Sequence, residues 1–183
     1  HNQDPKLPSQ RLRQILDTLK ARVLVADLKY KKQLDGLGFE GVVIDIEEAL
    51  KTQEAPVLLE QIRSQRLDID PLYANFTSGS TGIPKGVVVS HRSVIDFMED
   101  FTQIFGITDR DVIGNQAPFD FDVSVKDIYS TLKTGATMQI IPKKLFSFPM
   151  PLMDYLDDRK VTTLIWAVSA LCIVTTLKGF DYK

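Results

Sequence analysis

Two kinds of apolar pattern alternate along this chain. After Ser9, an N-cap candidate, Leu12, Ile15, Leu16 and Leu19 recur at helical spacing. Arg22 to Ala26 and Val42-Val43-Ile44 are short continuous apolar runs, separated by the turn formers Gly36 and Gly38. Runs of this kind between helices read as strands of a parallel sheet covered on both faces. A helix is expected over Val57 to Arg66 with Leu58, Leu59 and Ile62 inward.

Tyr73 to Thr77 and Gly86 to Val89 read as strands on either side of a glycine-rich loop. Ser90 then opens a long helix whose Val94, Phe97, Met98, Phe101, Ile104 and Phe105 share a face, ended by Gly106. The same alternation predicts a strand near Val112–Ala117, a helix from Val123 to Leu132, a turn at Thr134-Gly135, and a strand Thr137–Ile141 stopped by Pro142. A helix near Leu152–Arg159, a strand Thr162–Trp166 and a helix Ser169–Leu177 complete the series. The expected fold is α/β, a mainly parallel, doubly wound sheet with helices on both faces.

Composition narrows the classes. The 183 residues suffice for one good-sized domain or two small ones. Twenty-two basic residues against 24 acidic ones leave a net charge of −2, which favours neither nucleic acid nor an anionic membrane. Lys29-Tyr30-Lys31-Lys32 and Lys143-Lys144 read as solvated faces. The one cysteine, Cys172, lies in the apolar run Ala170 to Val174 and is expected to be a buried structural thiol. With only His1 and His91, no multi-histidine metal site can form, and no metal ligand is assigned. No run reaches the ~20 apolar residues of a membrane span, and a cytoplasmic location is expected.

The chemistry concentrates in Thr77-Ser78-Gly79-Ser80-Thr81-Gly82-Ile83-Pro84-Lys85-Gly86. Gly79, Gly82 and Gly86 lack a Cβ and can take positive φ, so the backbone can turn successive N–H groups onto an anion. Thr77, Ser78, Ser80 and Thr81 add hydroxyl donors, and Lys85 a compact charge suited to phosphate oxygens. The pattern is not GxxxxGK[ST], because Pro84 precedes Lys85 and Gly86 follows it.

Residues 73 to 91, YANFTSGSTGIPKGVVVSH, closely resemble the signature of adenylate-forming enzymes. That superfamily includes acyl-CoA synthetases, luciferases, peptide-synthetase adenylation domains and D-alanine:carrier-protein ligases. The resemblance implies ATP and Mg²⁺ as cofactors. It assigns ATP contacts to Thr77, Ser78, Gly79, Ser80, Thr81, Gly82 and Lys85, with Thr81 and Lys85 taking part in catalysis. The substrate carboxylate would attack the α-phosphorus, pyrophosphate would leave, and a thiol would capture the acyl-adenylate.

Phe121-Asp122-Val123-Ser124 resembles the FDxS element of the amino-acid-activating branch, where the aspartate pairs with the substrate's ammonium group. From these four residues alone Asp122 reads as the cap of the helix starting near Val123; the glycine-rich loop upstream turns the reading to substrate binding. Phe121 to Ala136 is similar to D-alanine:D-alanyl carrier protein ligases and peptide-synthetase domains, which implies pocket positions at Val123, Lys126 and Trp166. Val168 stands where the family usually has proline, and Trp166 reads equally as a core residue. Implied partners are an amino acid and an acyl or peptidyl carrier protein, with no nucleic acid and no membrane span. Alternatives are an acyl-CoA ligase for a non-amino acid, or a non-catalytic nucleotide-binding module.

The opening DPKLPSQRL also resembles the family, so the likeness runs over nearly the whole chain. The acidic Mg²⁺ ligand, the ribose-binding aspartate and the lysine of the C-terminal subdomain are not found. Residues 1–183 are therefore expected to be an internal fragment of one adenylation domain, inactive alone.

Overall fold

The computed structural model describes residues 7–77 and 84–176. The chain divides into two compact units, His1–His91 and Arg92–Lys183.

The first unit begins with α1 (Ser9–Leu19), which buries Leu12 and Ile15. Pro8, not Ser9, holds the N-cap position, and its carbonyl accepts from the Arg11 and Leu12 N–H groups. A proline loses nothing there, since its missing N–H would have had no helical partner. Next come β1 (Val23–Ala26), a 3₁₀ turn (Leu28–Tyr30), α2 (Lys31–Gly36) and β2 (Val42–Asp45), with β1 and β2 parallel and Val23 opposite Val42. The Asp27 carboxylate accepts from the Lys29 N–H at 2.9 Å, and Asp45 accepts from Glu47 at 3.2 Å to start α3 (Ile46–Ala49). These short turns are absent from the sequence expectation because each rests on one capping aspartate rather than on a period.

After α4 (Pro56–Ser64), β3 (Pro71–Thr77) pairs antiparallel with β4 (Lys85–Ser90). Leu58, Leu59 and Ile62 of α4 are exposed rather than inward, as are Val23, Val25, Val42 and Val43 of the parallel pair. Amphipathic spacing marks a face that favours burial; it does not supply the surface that covers it.

The second unit continues α5 (His91–Ile104), which buries Val94, Met98 and Thr102. Phe97, Ile104 and Phe105 of its expected apolar face are exposed, and Phe97, Phe101 and Phe105 stack with centroids 5.3 and 4.7 Å apart. Then follow β5 (Val112–Asn115), α6 (Ser124–Thr134), β6 (Thr137–Ile140), a 3₁₀ turn (Lys143–Ser147), α7 (Pro149–Asp158) and α8 (Val168–Thr176). Gly135, at φ +78°, ends α6 in the left-handed conformation that glycine adopts most cheaply. Strand β5 pairs parallel with β6. Of the expected strand Thr162–Trp166, only a parallel bridge between Thr163 and Ile113 forms.

Ile107, Ile113 and Ala136 make one core cluster; Ile141, Leu152, Leu156, Trp166 and Val174 make another. Cys172 is exposed, against the expectation of burial, because α8 turns Val174 inward and leaves Cys172 and Ile173 on its open side. The Asp111 carboxylate joins β5 to the Thr162–Thr163 segment, accepting from Thr163 Oγ1 at 2.5 Å, Thr162 Oγ1 at 3.0 Å and the Thr108 N–H at 2.8 Å. The Thr163 hydroxyl, foremost among these donors, holds the Asp111 carboxyl below the usual carboxylate range.

Gly114 lets this segment approach β5. A Cβ there would lie 2.9 Å from both Leu164 Cδ2 and Val161 Cγ1. The Gly114 N–H donates to Thr163 O at 2.9 Å, and its carbonyl accepts from Trp166 Nε1 at 2.8 Å. Gly114→Ala is expected to lower unfolding stability by roughly 1–3 kcal/mol, the usual cost of overpacking, measured by urea titration. An unchanged midpoint would contradict this close approach.

Candidate functional site

The β3–β4 hairpin brings together the two ends of the glycine-rich loop. Thr77 and Lys85 form its last register pair, so they stand side by side at its open end. Both are exposed, and Lys85 makes no ion pair among the described residues. Ser78, Gly79, Ser80, Thr81 and Gly82 lie outside the described residues. Gly86 does not take positive φ, contrary to its expected part in wrapping an anion. It pairs with Phe76, and a Cβ at Gly86 would stand 3.1 Å from that ring, so its smallness serves the hairpin's own packing.

In the second unit, the connection between β5 and α6 forms consecutive turns. The Phe121 N–H donates to Pro118 O at 3.0 Å, and Phe121 O accepts from the Ser124 N–H at 3.1 Å and Ser124 Oγ at 2.7 Å. The serine of the FDVS element thus folds back to close the turn that carries Asp122. Asp122 is exposed, and its carboxylate does not cap α6: Val123 holds the N-cap position without a side-chain cap bond. The carboxylate has no hydrogen-bond or ion-pair partner among the described residues. A carboxylate presented on a pinned turn is free to meet a cation. Val123 and Lys126 are half-buried at the same helix start. Trp166 lies in the core, edge-on to Phe146 with centroids 5.2 Å apart and its N–H donated to Gly114.

Beneath this turn lies a pair absent from the sequence expectation. Asp127 is 1% exposed, and its Oδ2 accepts from Asn115 Nδ2 at 2.7 Å. The same Asn115 amide donates to Ala117 O at 3.2 Å. Asp127 Oδ1 is buried with no partner. Burial pushes the Asp127 carboxyl up to about 6, opposed by the Asn115 hydrogen bond and the nearby Lys126 charge. The buried face of α6 consists of Ser124, Asp127 and Ser130. In sequence, polar residues three apart read as a solvated stripe; the available signal was their place between two apolar strands. Among the described residues, no three His, Cys, Asp or Glu side chains converge as a metal site, and no helix is long and apolar enough to cross a membrane.

Residues 1–181 match the family model described as AMP-binding enzyme. The chain is 33% identical over 165 residues to a D-alanine–D-alanyl carrier protein ligase of Staphylococcus aureus (strain JH9), covering 89% of this chain and 32% of the ligase. It is 29% identical over 178 residues to tyrocidine synthase 3 of Brevibacillus parabrevis, covering 97% of this chain and 3% of the synthase. It therefore spans about a third of the ligase it matches. Among solved structures, it resembles AB3403, a four-domain nonribosomal peptide synthetase bound to AMP and glycine. The TM-score is 0.70 at 26% identity, covering 88% of this chain and 11% of that one.

The buried carboxyl has a measurable signature. With a folded pKa of about 6 against an ordinary 3.8, Asp127 binds more protons folded than unfolded between those values. Its contribution therefore becomes less favourable as pH rises through that window, by on the order of 3 kcal/mol in all. Comparing urea unfolding of the native sequence and Asp127→Asn at about pH 4 and about pH 7 should show the native sequence losing stability relative to the variant. A constant difference between the two would contradict the raised pKa.

Proposed function

This chain belongs to the AMP-binding enzyme family, and we propose that the protein containing it activates an amino-acid carboxylate as an aminoacyl-adenylate. A substrate carboxylate oxygen bonds to the α-phosphorus of ATP as the bond to the pyrophosphate oxygen breaks. The acyl group then passes to a carrier-protein thiol, releasing AMP. The observation that carries the amino-acid reading is the exposed carboxylate of Asp122 on its double turn, without a partner among the described residues. A carboxylate so placed offers the counter-charge that an ammonium group needs when it leaves water.

Lys85 and Thr77 stand at the mouth of the proposed phosphate loop, with Ser78, Gly79, Ser80, Thr81 and Gly82 between them. Phosphate oxygens gain most from donors and a cation fixed in place before charge develops, which a hairpin end can provide. Lys85 and Thr81 are the residues proposed to act in the adenylation step. Val123 and Lys126 would line the amino-acid site beside Asp122. Trp166 would contribute there through whatever edge its core packing leaves accessible.

Among the described residues, no three His, Cys, Asp or Glu side chains converge to hold a metal; the Mg²⁺ that accompanies ATP would take its ligands from elsewhere. The 183 residues alone are expected to sustain no adenylation, and a cytoplasmic setting with ATP and carrier proteins fits the proposed reaction.

Amino-acid-dependent ATP–pyrophosphate exchange by the full-length protein, across D- and L-amino acids and simple carboxylic acids, tests the proposal. Asp122→Ala should raise the KM for the preferred amino acid by about 10²-fold or more, as expected when a desolvated ammonium loses its partner. If amino-acid use survives that change intact, Asp122 does not read the ammonium group. Lys85→Ala should lower the exchange rate about 10²–10³-fold, the usual loss of a preorganised charge-stabilising group; a rate within twofold of the native enzyme would remove Lys85 from the step.

A further inference from the structure

The buried pair below the FDVS turn has no part in the reaction described above, yet it connects directly to the segment that carries it. We propose that Asp127 is a positioning residue for the amino-acid site, acting through Asn115 to fix the 116–123 segment on which Asp122 and Val123 stand. The inference rests on the amino-acid-activating reading for its consequence, though not for its geometry.

Three observations carry it. Asp127 and Asn115 are both nearly inaccessible, 1% and 4% exposed, so water does not compete for their 2.7 Å hydrogen bond. Asn115 is the last residue of β5, and its amide reaches forward to the Ala117 carbonyl at 3.2 Å. One side chain therefore grips both the helix after the segment and the segment's own beginning. The far end is closed by Ser124 Oγ on Phe121 O at 2.7 Å, in the same α6 face as Asp127. The connection that presents Asp122 is thus held at its entry by Asn115 and at its exit by Ser124, and Asp127 orients the first of these clamps.

An apolar side chain at position 127 would relieve the cost of an unpartnered buried oxygen, so stability alone does not account for a carboxylate here. Orientation of the Asn115 amide does. An amide has two donors and one acceptor, and an acceptor-only carboxylate facing its nitrogen determines which way it points. With the nitrogen turned toward Asp127 and Ala117, the Ala117 carbonyl near the segment's start is satisfied. With the amide reversed, that carbonyl would face an oxygen.

Two readouts on the full-length protein test this. In ATP–pyrophosphate exchange, Asp127→Ala should raise the amino-acid KM about tenfold while leaving the ATP KM within about twofold. Asp127→Asn, whose amide oxygen can still accept from Asn115, should recover most of that loss. Asn115→Ala should reproduce the Asp127→Ala effect, and the double variant should be no worse than either single one, as for residues acting through one link. Asn115→Ala also serves if Asp127→Ala does not fold. Amide hydrogen exchange over residues 116–123 should be at least tenfold faster in Asp127→Ala, and near native in Asp127→Asn.

Equal rises in both KM values, or additive effects in the double variant, would mean a general structural role and overturn the proposal. So would Asp127→Asn as impaired as Asp127→Ala, because charge rather than orientation would then matter. If the native protein activates no amino acid, the functional reading fails, and the exchange-protection measurement alone decides: unchanged protection over 116–123 overturns the positioning role.

Discussion

A carboxyl group withdrawn from water must be held by something, and in this chain the hold on Asp127 is a single amide. That amide belongs to Asn115, the last residue of β5, and the second unit is organised around the same short strand. On its other side, β5 receives the Thr162–Thr163 segment through Asp111 and the Gly114 backbone, and Gly114 O takes the Trp166 N–H. Asp111, Gly114 and Asn115 thus tie together a helix, a bridge segment and the aromatic part of the core. The constraint is severe because each attachment uses a different feature: a carboxylate before the strand, an absent side chain within it and a carboxamide at its end.

The hairpin of the first unit follows a different logic. It requires little from a core; its register alone sets Thr77 beside Lys85. Positioning by register would suit the proposed phosphate loop, since it fixes the separation of the two residues that flank it. The two candidate regions therefore draw on distinct sources of order, ladder pairing for one and a buried polar network for the other.

Much of this was legible from sequence, and the boundary is physical. Continuous apolar runs mark β1 and β2 as parallel partners, and the strands flanking the glycine-rich motif are legible as β3 and β4, because these signals are local, though their antiparallel pairing is not part of the sequence expectation. The turn-length elements Leu28–Tyr30, Lys31–Gly36 and Ile46–Ala49 are not legible in the sequence, since one or two turns leave no period to detect. Burial is less legible. Leu58, Leu59 and Ile62 have the right spacing for an inward face but are exposed, while Ser124, Asp127 and Ser130 have the composition of a solvated face but are buried. Polarity predicts burial only on average, and Asp127 departs from that average because Asn115, twelve residues earlier, is placed to meet it. No pattern local to α6 contains that information. For Asp122, the sequence left capping and ligand recognition open; the structure removes capping, because Val123 occupies the N-cap position.

The chain contains one tryptophan, and its indole is bonded to the backbone of β5 beside the ring of Phe146. Intrinsic fluorescence excited at the indole is therefore a built-in probe of β5 and the core beside it. It will register loosening around Gly114 as a change in emission colour. An optical melt that follows the indole therefore reads the packing of β5 against Trp166 and Phe146, and a backbone probe recorded alongside it shows whether the rest of the chain melts in step.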